Sequence, residues 1–346
     1  MRALKLVGPG RLELQDVAVP EIGPSEVLVK VAAAGLCHSD LHILEMDETW
    51  PFFGNTIGHE VAGHVEKVGE AVTGFTPGEA VLASVIWFCG HCRNCLEGRT
   101  NSCTVNGSRT QFPHTPGIGP DGGMAEYIAV HAVNLDKIGD LDPIGAAPLS
   151  DAATTPMRAI NSAREQLTAD STVAMIGMGG LGHVGLQILK ATTGCRIIAL
   201  DTDESKLELA RQHGADETVI SDGEAAAKLL KMTNDNGVDV VFDFVGVSPT
   251  VTLATNVVAA GGAIRIIGLG GGSFPFEASL SGEPLPWGVN VQRSYGGTHQ
   301  DQLEVIALAR NGRIKVTTQT YPLEKYQDAI DDLRNGKVVG RAVIIP

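Results

Sequence analysis

Residues 171–201 constrain this chain more than any other stretch. Ser171-Thr172-Val173-Ala174-Met175-Ile176 is an apolar run of strand length and predicts a buried strand. Gly177-Met178-Gly179-Gly180-Leu181-Gly182 follows and matches G-x-G-x-x-G. A helical pattern runs over 181–192, a second buried strand over 196–200, and Asp201 ends that strand, 19 positions beyond Gly182. Strand, glycine turn, helix, strand and acid in this order form the dinucleotide fingerprint. Gly177 permits the tight turn, Gly179 lets backbone N–H groups approach a pyrophosphate, and Gly182 lets helix and strand pack closely. Gly180 and Leu181 complete the turn, and the phosphate charge meets the positive end of the helix. Asp201 would accept the adenosine ribose hydroxyls and repel a 2′-phosphate. With no arginine beside it, it points to NAD rather than NADP. The competing reading is a glycine turn of another α/β fold, with Asp201 as a helix cap.

The same alternation continues on either side. Helical periodicity covers 152–167 and 204–213, and apolar strand patterns cover 238–243 and 263–267. Strands alternating with helices predict a parallel sheet covered on both faces. Before residue 150 the pattern differs: short alternating strands (26–31, 61–68) are punctuated by Gly and Pro, which predicts a barrel-like β domain. After 293 the pattern is mixed, with helices expected over 303–311 and 325–335 and a closing strand over 342–345. Periodicity alone does not assign this tail to a domain.

The chain carries 26 Lys+Arg against 40 Asp+Glu, a net charge of −14. That balance repels a polyanion at long range, and no basic run offsets it, so nucleic-acid binding is excluded as a reading. The apolar stretches are broken by glycines and charges, and the N-terminus lacks a signal-peptide core, so neither a membrane span nor export is expected. A cytoplasmic protein is.

Four of the six cysteines fall within fifteen residues: Cys89-x-x-Cys92-x-x-Cys95-x7-Cys103. In a reducing cytosol clustered thiols hold metal more often than they form disulfides. Zn²⁺ takes four thiolates in a tetrahedron, and two-residue spacers let neighbouring sulfurs reach one ion. With every position filled by protein, such a zinc is structural. Buried free thiols or an iron–sulfur cluster are the alternatives. His91, inside the loop, reads as exposed.

Taken with Gly35-Leu36-Cys37-His38-Ser39-Asp40 and Gly58-His59-Glu60, in this order along the chain, these motifs resemble the zinc-dependent alcohol dehydrogenases of the medium-chain dehydrogenase/reductase family. The resemblance spans essentially the whole chain. It implies an α/β protein with a GroES-like β-barrel catalytic domain (1–151 and 294–346) and a Rossmann domain with a doubly wound parallel sheet (152–293), the active site lying in the cleft. It implies two zinc ions per chain, and a catalytic one held by Cys37, His59 and Asp151. Without the resemblance these three would read as a buried thiol, a satisfied core histidine and a helix cap. Asp40 matches the acceptor that orients His59. Ser39 and His42 match the relay that carries the alcohol proton outward, although His42 also suits an exposed turn. Glu60 matches an acid beside the metal, either a transient ligand or a core carboxylate. His38 matches a position near the cofactor pyrophosphate.

The activity implied is reversible hydride transfer between an alcohol and NAD. Trp50, Phe53, Ile86 and Trp87 lie on segments that line the substrate cleft in relatives, and Leu285 and Trp287 on a loop near a subunit contact; ordinary core packing is the other reading for each. Apolar walls, and Ser39 where some relatives carry threonine, favour a secondary or aromatic alcohol. A polyol, an amino alcohol or an alicyclic alcohol is the alternative within the family, and a non-catalytic NAD-binding relative the alternative outside it. A zinc-free quinone reductase would lack both metal sets. The resemblance also implies a homodimer or homotetramer.

Overall fold

The computed structural model describes every residue except 112, 279 and 281–284. Among the described residues the first 137 positions hold seven strands: β1 (Arg2–Gly8), β2 (Arg11–Asp16), β3 (Glu26–Leu36), β4 (Glu60–Val68), β5 (Ala80–Ala83), β6 (Tyr127–His131) and β7 (Leu135–Lys137). Among the described residues six strands follow, the first five separated by helices: β8 (Thr172–Ile176), β9 (Arg196–Asp201), β10 (Glu217–Ile220), β11 (Val238–Asp243), β12 (Val258–Ile266) and β13 (Asn290–Arg293). Two more close the chain, β14 (Thr318–Pro322) and β15 (Arg341–Ile345).

Two compact units result. The first comprises Met1–Thr154 and Gly296–Pro346, the second Thr155–Tyr295. In the first, a sheet runs β14-β15-β3-β4-β5-β7, with β6 also on β3. The eleven-residue β3 is its spine, pairing antiparallel with β4, β6 and β15. Val27, Val29, Val31, Val61, Val65 and Val81 pack into one apolar cluster, and Leu4, Leu36, Leu41, Ile57 and Ile344 into another. β-branched residues fit such a pleated, covered surface.

The second unit is a six-stranded sheet, order β10-β9-β8-β11-β12-β13, parallel throughout. Its central strands are buried at all but one residue each, as parallel strands covered on both faces must be. The strand order reverses at β8, the switch point where ligands bind beyond the strand ends. The α/β architecture is therefore the one expected. Local differences have local causes. The helix expected over 152–167 runs Thr154–Ser162, and a 3-10 turn, Arg164–Gln166, follows Ala163. β10 and β13 are short, half-exposed strands whose sequences carry no clear alternation. Among the described residues no helix is long and apolar enough to cross a membrane.

Candidate active site and metal centres

Residues 37–40 form a helix start built around a thiol. Cys37 caps the helix His38–Leu44: its Sγ accepts from the Ser39 N–H at 3.2 Å, while Asp40 Oδ2 accepts from the Cys37 N–H at 2.8 Å. This reciprocal pairing satisfies helix-end donors and fixes the thiol's direction. Asp40 is fully buried, and its other oxygen lies 3.3 Å from His59 Nδ1. His59 enters just ahead of β4, and its Nε2 lies 3.6 Å from Asp151 Oδ2. Asp151 follows the 3-10 turn Ala147–Ser150, whose residues are all buried.

Cys37, Asp40 and His59 bring ligand atoms within 4.8 Å of one another, and so do His59, Glu60 and Asp151. His59 belongs to both sets; Cys37 and Asp151 do not share one. Yet His59 is 1% exposed, and neither ring nitrogen has a hydrogen-bond partner, nor does Asp40 Oδ1. Buried polar atoms of this kind are costly unless something satisfies them. Burial works against a charge on His59, but Asp40, Cys37 and Asp151 outweigh it and hold its pKa well above the usual histidine range. The pocket is short of positive charge and rich in soft and hard donors, and a divalent cation with a Cys, a His and an Asp as ligands fits it.

Sequence reasoning missed Arg341. This side chain is 4% exposed and forms a two-pronged ion pair with Glu60, one hydrogen bond running from Nε to Oε2 at 3.0 Å and the other from Nη2 to Oε1. Its Nη2 also lies 3.5 Å from Asp151 Oδ2. Burial pushes the Glu60 pKa up, against the pull of Arg341. Burial opposes charge on Arg341 too, but Glu60, Cys37 and Asp151 raise its pKa above the ordinary value. The register explains the meeting: Gly35 pairs with Glu60 and with Val343. A Cβ at Gly35 would fall 1.8 Å from Glu60 Oε2, so only glycine leaves that carboxylate its place. The one available signal was an arginine opening an otherwise apolar final strand.

The four cysteines converge from a single stretch of chain, braced from outside by Val133, Asn134 and His299. Sulfur separations are 3.4 Å for Cys92–Cys95, 3.9 Å for Cys89–Cys95 and 4.0 Å for Cys92–Cys103. A tetrahedron of Zn–S bonds requires about 3.8 Å. Backbone N–H groups of Cys95 and Thr104 lower the Cys92 pKa to about 5, while burial and the Cys92 sulfur push Cys95 up to about 12. The sulfurs lie too close for all four to carry a charge unaided, and a cation among them would relieve that crowding. His91 is exposed.

In the second unit the glycine turn joins β8 to the helix Gly182–Thr192. Gly177 takes φ +91°, a conformation that favours glycine. A Cβ at Gly182 would lie 1.9 Å from the Gly177 carbonyl, whereas one at Gly179 would meet nothing within 4 Å, so the middle of the turn faces open space. Asp201 is buried and accepts from the Met178 N–H at 2.7 Å and the Asp203 N–H at 3.0 Å. Lys206 Nζ stands 3.8 Å from it, a cation the sequence reading did not weigh.

The remaining positions scatter. Ser39 is partly buried, and His38 and His42 are exposed on the same helix. Trp50 and Phe53 pack partly buried against the Leu4–Ile344 cluster, Trp87 against the valine cluster, and Ile86 is buried. Leu285 packs on the core of the second unit, and Trp287 is exposed.

Residues 23–140 match the model of the alcohol dehydrogenase GroES-like domain, and residues 180–311 that of the zinc-binding dehydrogenase. An NAD-dependent alcohol dehydrogenase of Sulfurisphaera tokodaii is 35% identical over the full length of both chains. The alcohol dehydrogenase of Aeropyrum pernix superposes with a TM-score of 0.90 at 32% identity, covering all of both chains. The acetophenone reductase of Geotrichum candidum, solved with NAD, superposes with a TM-score of 0.84 at 30% identity, covering 100% of this chain and 97% of that one. A thiol–imidazole–carboxylate pocket in one unit, a glycine turn on a doubly wound sheet in the other and relatives matching end to end place this chain in the family of zinc-dependent medium-chain alcohol dehydrogenases.

Proposed function

We propose that the protein reversibly oxidises a secondary or aryl-substituted apolar alcohol to its ketone or aldehyde with NAD. In this reading Cys37, His59 and Asp151 hold the catalytic zinc, and Cys89, Cys92, Cys95 and Cys103 hold the structural one. One observation carries it: a buried imidazole with both nitrogens unpartnered, ringed by Cys37, Asp40 and Asp151. When bound, zinc supplies a Lewis acid for the alcohol oxygen and the nicotinamide an acceptor for the hydride.

The chain's own residues do the rest. Asp40 fixes the His59 ring by facing Nδ1, leaving Nε2 for the ion. Arg341 neutralises Glu60 and holds it by two hydrogen bonds, so Glu60 reaches the ion only when that pair opens. Ser39, beside Cys37, accepts the alcohol proton as it gives up its own, and the exposed His42 on the same helix releases a proton to water; the nicotinamide ribose would link the two when NAD is bound. Gly177, Gly179, Gly180, Leu181 and Gly182 cradle the pyrophosphate, and His38 supplements them. The Asp201 carboxylate disfavours a 2′-phosphate, a preference that Lys206 softens.

The apolar substrate is supported by the likeness to an acetophenone reductase and by the small Ser39. Six free cysteines suit the cytoplasm. The exposed Phe276 and Trp287 suit association as a homodimer or homotetramer.

The test is cofactor reduction with NAD and NADP across secondary, benzylic, polyol and amino alcohols, before and after chelation. We expect the fastest turnover with NAD and 1-phenylethanol-type alcohols, loss on chelation, and recovery with zinc. Fastest turnover on a polyol or amino alcohol would overturn the substrate assignment. Turnover indifferent to chelation would overturn the metal assignment.

A further inference from the structure

β8 lies between β9 and β11, and each of these neighbours ends in a buried aspartate. Asp201 ends β9 and braces the glycine turn through Met178. Asp243 ends β11, is fully buried, and has no part in the chemistry proposed above. Its Oδ1 accepts from the N–H groups of Val245 and Gly246, both at 2.9 Å, and its Oδ2 from the Thr250 hydroxyl at 2.8 Å. Its carbonyl accepts from the N–H groups of Ile267 and Gly268, on the loop that follows β12. That loop returns the bonds: Gly270 N–H donates to the Val245 carbonyl and Gly272 N–H to that of Gly246. The two loops touch so closely that a Cβ at Gly268 would lie 2.1 Å from the Val245 carbonyl carbon. On its other side the 245–247 turn presses on the dinucleotide turn, since a Cβ at Gly177 would lie 2.6 Å from Val245 Cγ2. Phe244 N–H also donates to the Ile176 carbonyl, the last residue of β8.

We propose that Asp243 is a positioning residue for the dinucleotide: it locks the 245–247 turn against Gly177, so that the ends of β8, β11 and β12 present one fixed surface. The assignment rests on the reading that the glycine turn binds NAD. A buried carboxylate with three donors is costly to hold and rigid once held. Its geometry sets the turn as Asp201 sets the other side. Asp243→Asn keeps an oxygen for the Val245 and Gly246 N–H groups and offers its amide to the Thr250 oxygen, whereas Asp243→Ala leaves both N–H groups unpaired.

Calorimetric titration of the zinc-loaded protein with NAD tests this, alongside steady-state kinetics. For Asp243→Ala we expect Kd and KM for NAD to rise about tenfold, the scale of one lost charge-assisted hydrogen bond, with KM for the alcohol moving less than about twofold. Asp243→Asn should bind NAD within about twofold of the parent. Should the alanine variant not fold, Thr250→Val removes only the hydroxyl on Oδ2 and should weaken NAD about threefold. An unchanged Kd in Asp243→Ala, an asparagine variant as weak as the alanine one, or an unchanged Thr250→Val would each overturn the proposal. A parent protein that fails to bind NAD would instead sink the dinucleotide reading.

Discussion

The cysteine loop and the Cys37–His59–Asp151 pocket share a unit and a proposed ion, yet they are built by opposite means. The loop draws four like ligands from fifteen consecutive residues. Its sulfurs lie near tetrahedral spacing, and two of its four cysteines are only partly buried. The pocket draws unlike ligands from a helix cap, the residue before a strand and the end of a 3-10 turn, and it surrounds them with Asp40, Glu60 and Arg341. A structural ion can be served by a short, self-sufficient loop. A catalytic one needs its charge trimmed and its fourth position kept open, and that takes groups from across the unit.

The sharpest way to break this comparison is to remove one ligand from each side and count metal by native mass spectrometry. His59→Ala should leave one zinc per chain and cut turnover about a thousandfold, since several kcal/mol of Lewis-acid stabilisation go with the ion. Retention of two zincs with normal turnover would show that His59 is no ligand. Cys92→Ser should also leave one zinc, but its main cost should be a melting midpoint lower by roughly 5–10 °C. A midpoint drop larger in His59→Ala than in Cys92→Ser would invert the assignment of catalytic and structural roles.

A smaller effect asks whether the cysteine loop stands alone. His299 N–H donates to Thr100 Oγ1 at 2.8 Å, and the His299 ring meets Asp136 Oδ1 at 2.9 Å and packs beside Phe88. The bond to Asp136 raises the His299 pKa, with burial acting against it. Raised in the folded state, that pKa gives stability that is complete below the unfolded value near 6.5 and is lost as pH rises through the folded one. Since His299 is about a third exposed, solvent screening keeps the effect small. His299→Gln should therefore lower the melting midpoint by a degree or two at pH 6 and by less at pH 8.5, roughly 1 °C apart. An equal drop at both pH values would assign His299 to packing alone.

What could be read from the sequence follows the same division. The cysteine loop and the glycine turn were legible because their parts are neighbours along the chain and their spacing is the chemistry. Cys37, His59 and Asp151 were reached only through resemblance, since nothing local marks a lone thiol or imidazole as a ligand. Arg341 and Asp243 were not reached at all. One is placed by the pairing of β15 with β3, the other by backbone donors on turns, and neither relation leaves a pattern of residue types. Trp50, Phe53 and Trp87 show a further limit: an aromatic beside a motif reads alike whether it faces substrate or packs on a core, and these three are partly buried against core clusters.

The pairing of Arg341 with Glu60 spans 281 positions. On the ribosome, Glu60 and Asp151 are therefore made long before the cation that compensates them, and the Ala34–Leu36 end of β3, beyond the stretch that β6 covers, waits for its second partner until β15 emerges. The cysteine loop, complete by residue 103, can take its ion while most of the chain is still unwritten. The order of synthesis thus separates the two sites: one has all its ligands by residue 103, while the other has its ligands by Asp151 but its balancing charge only when the last strand closes.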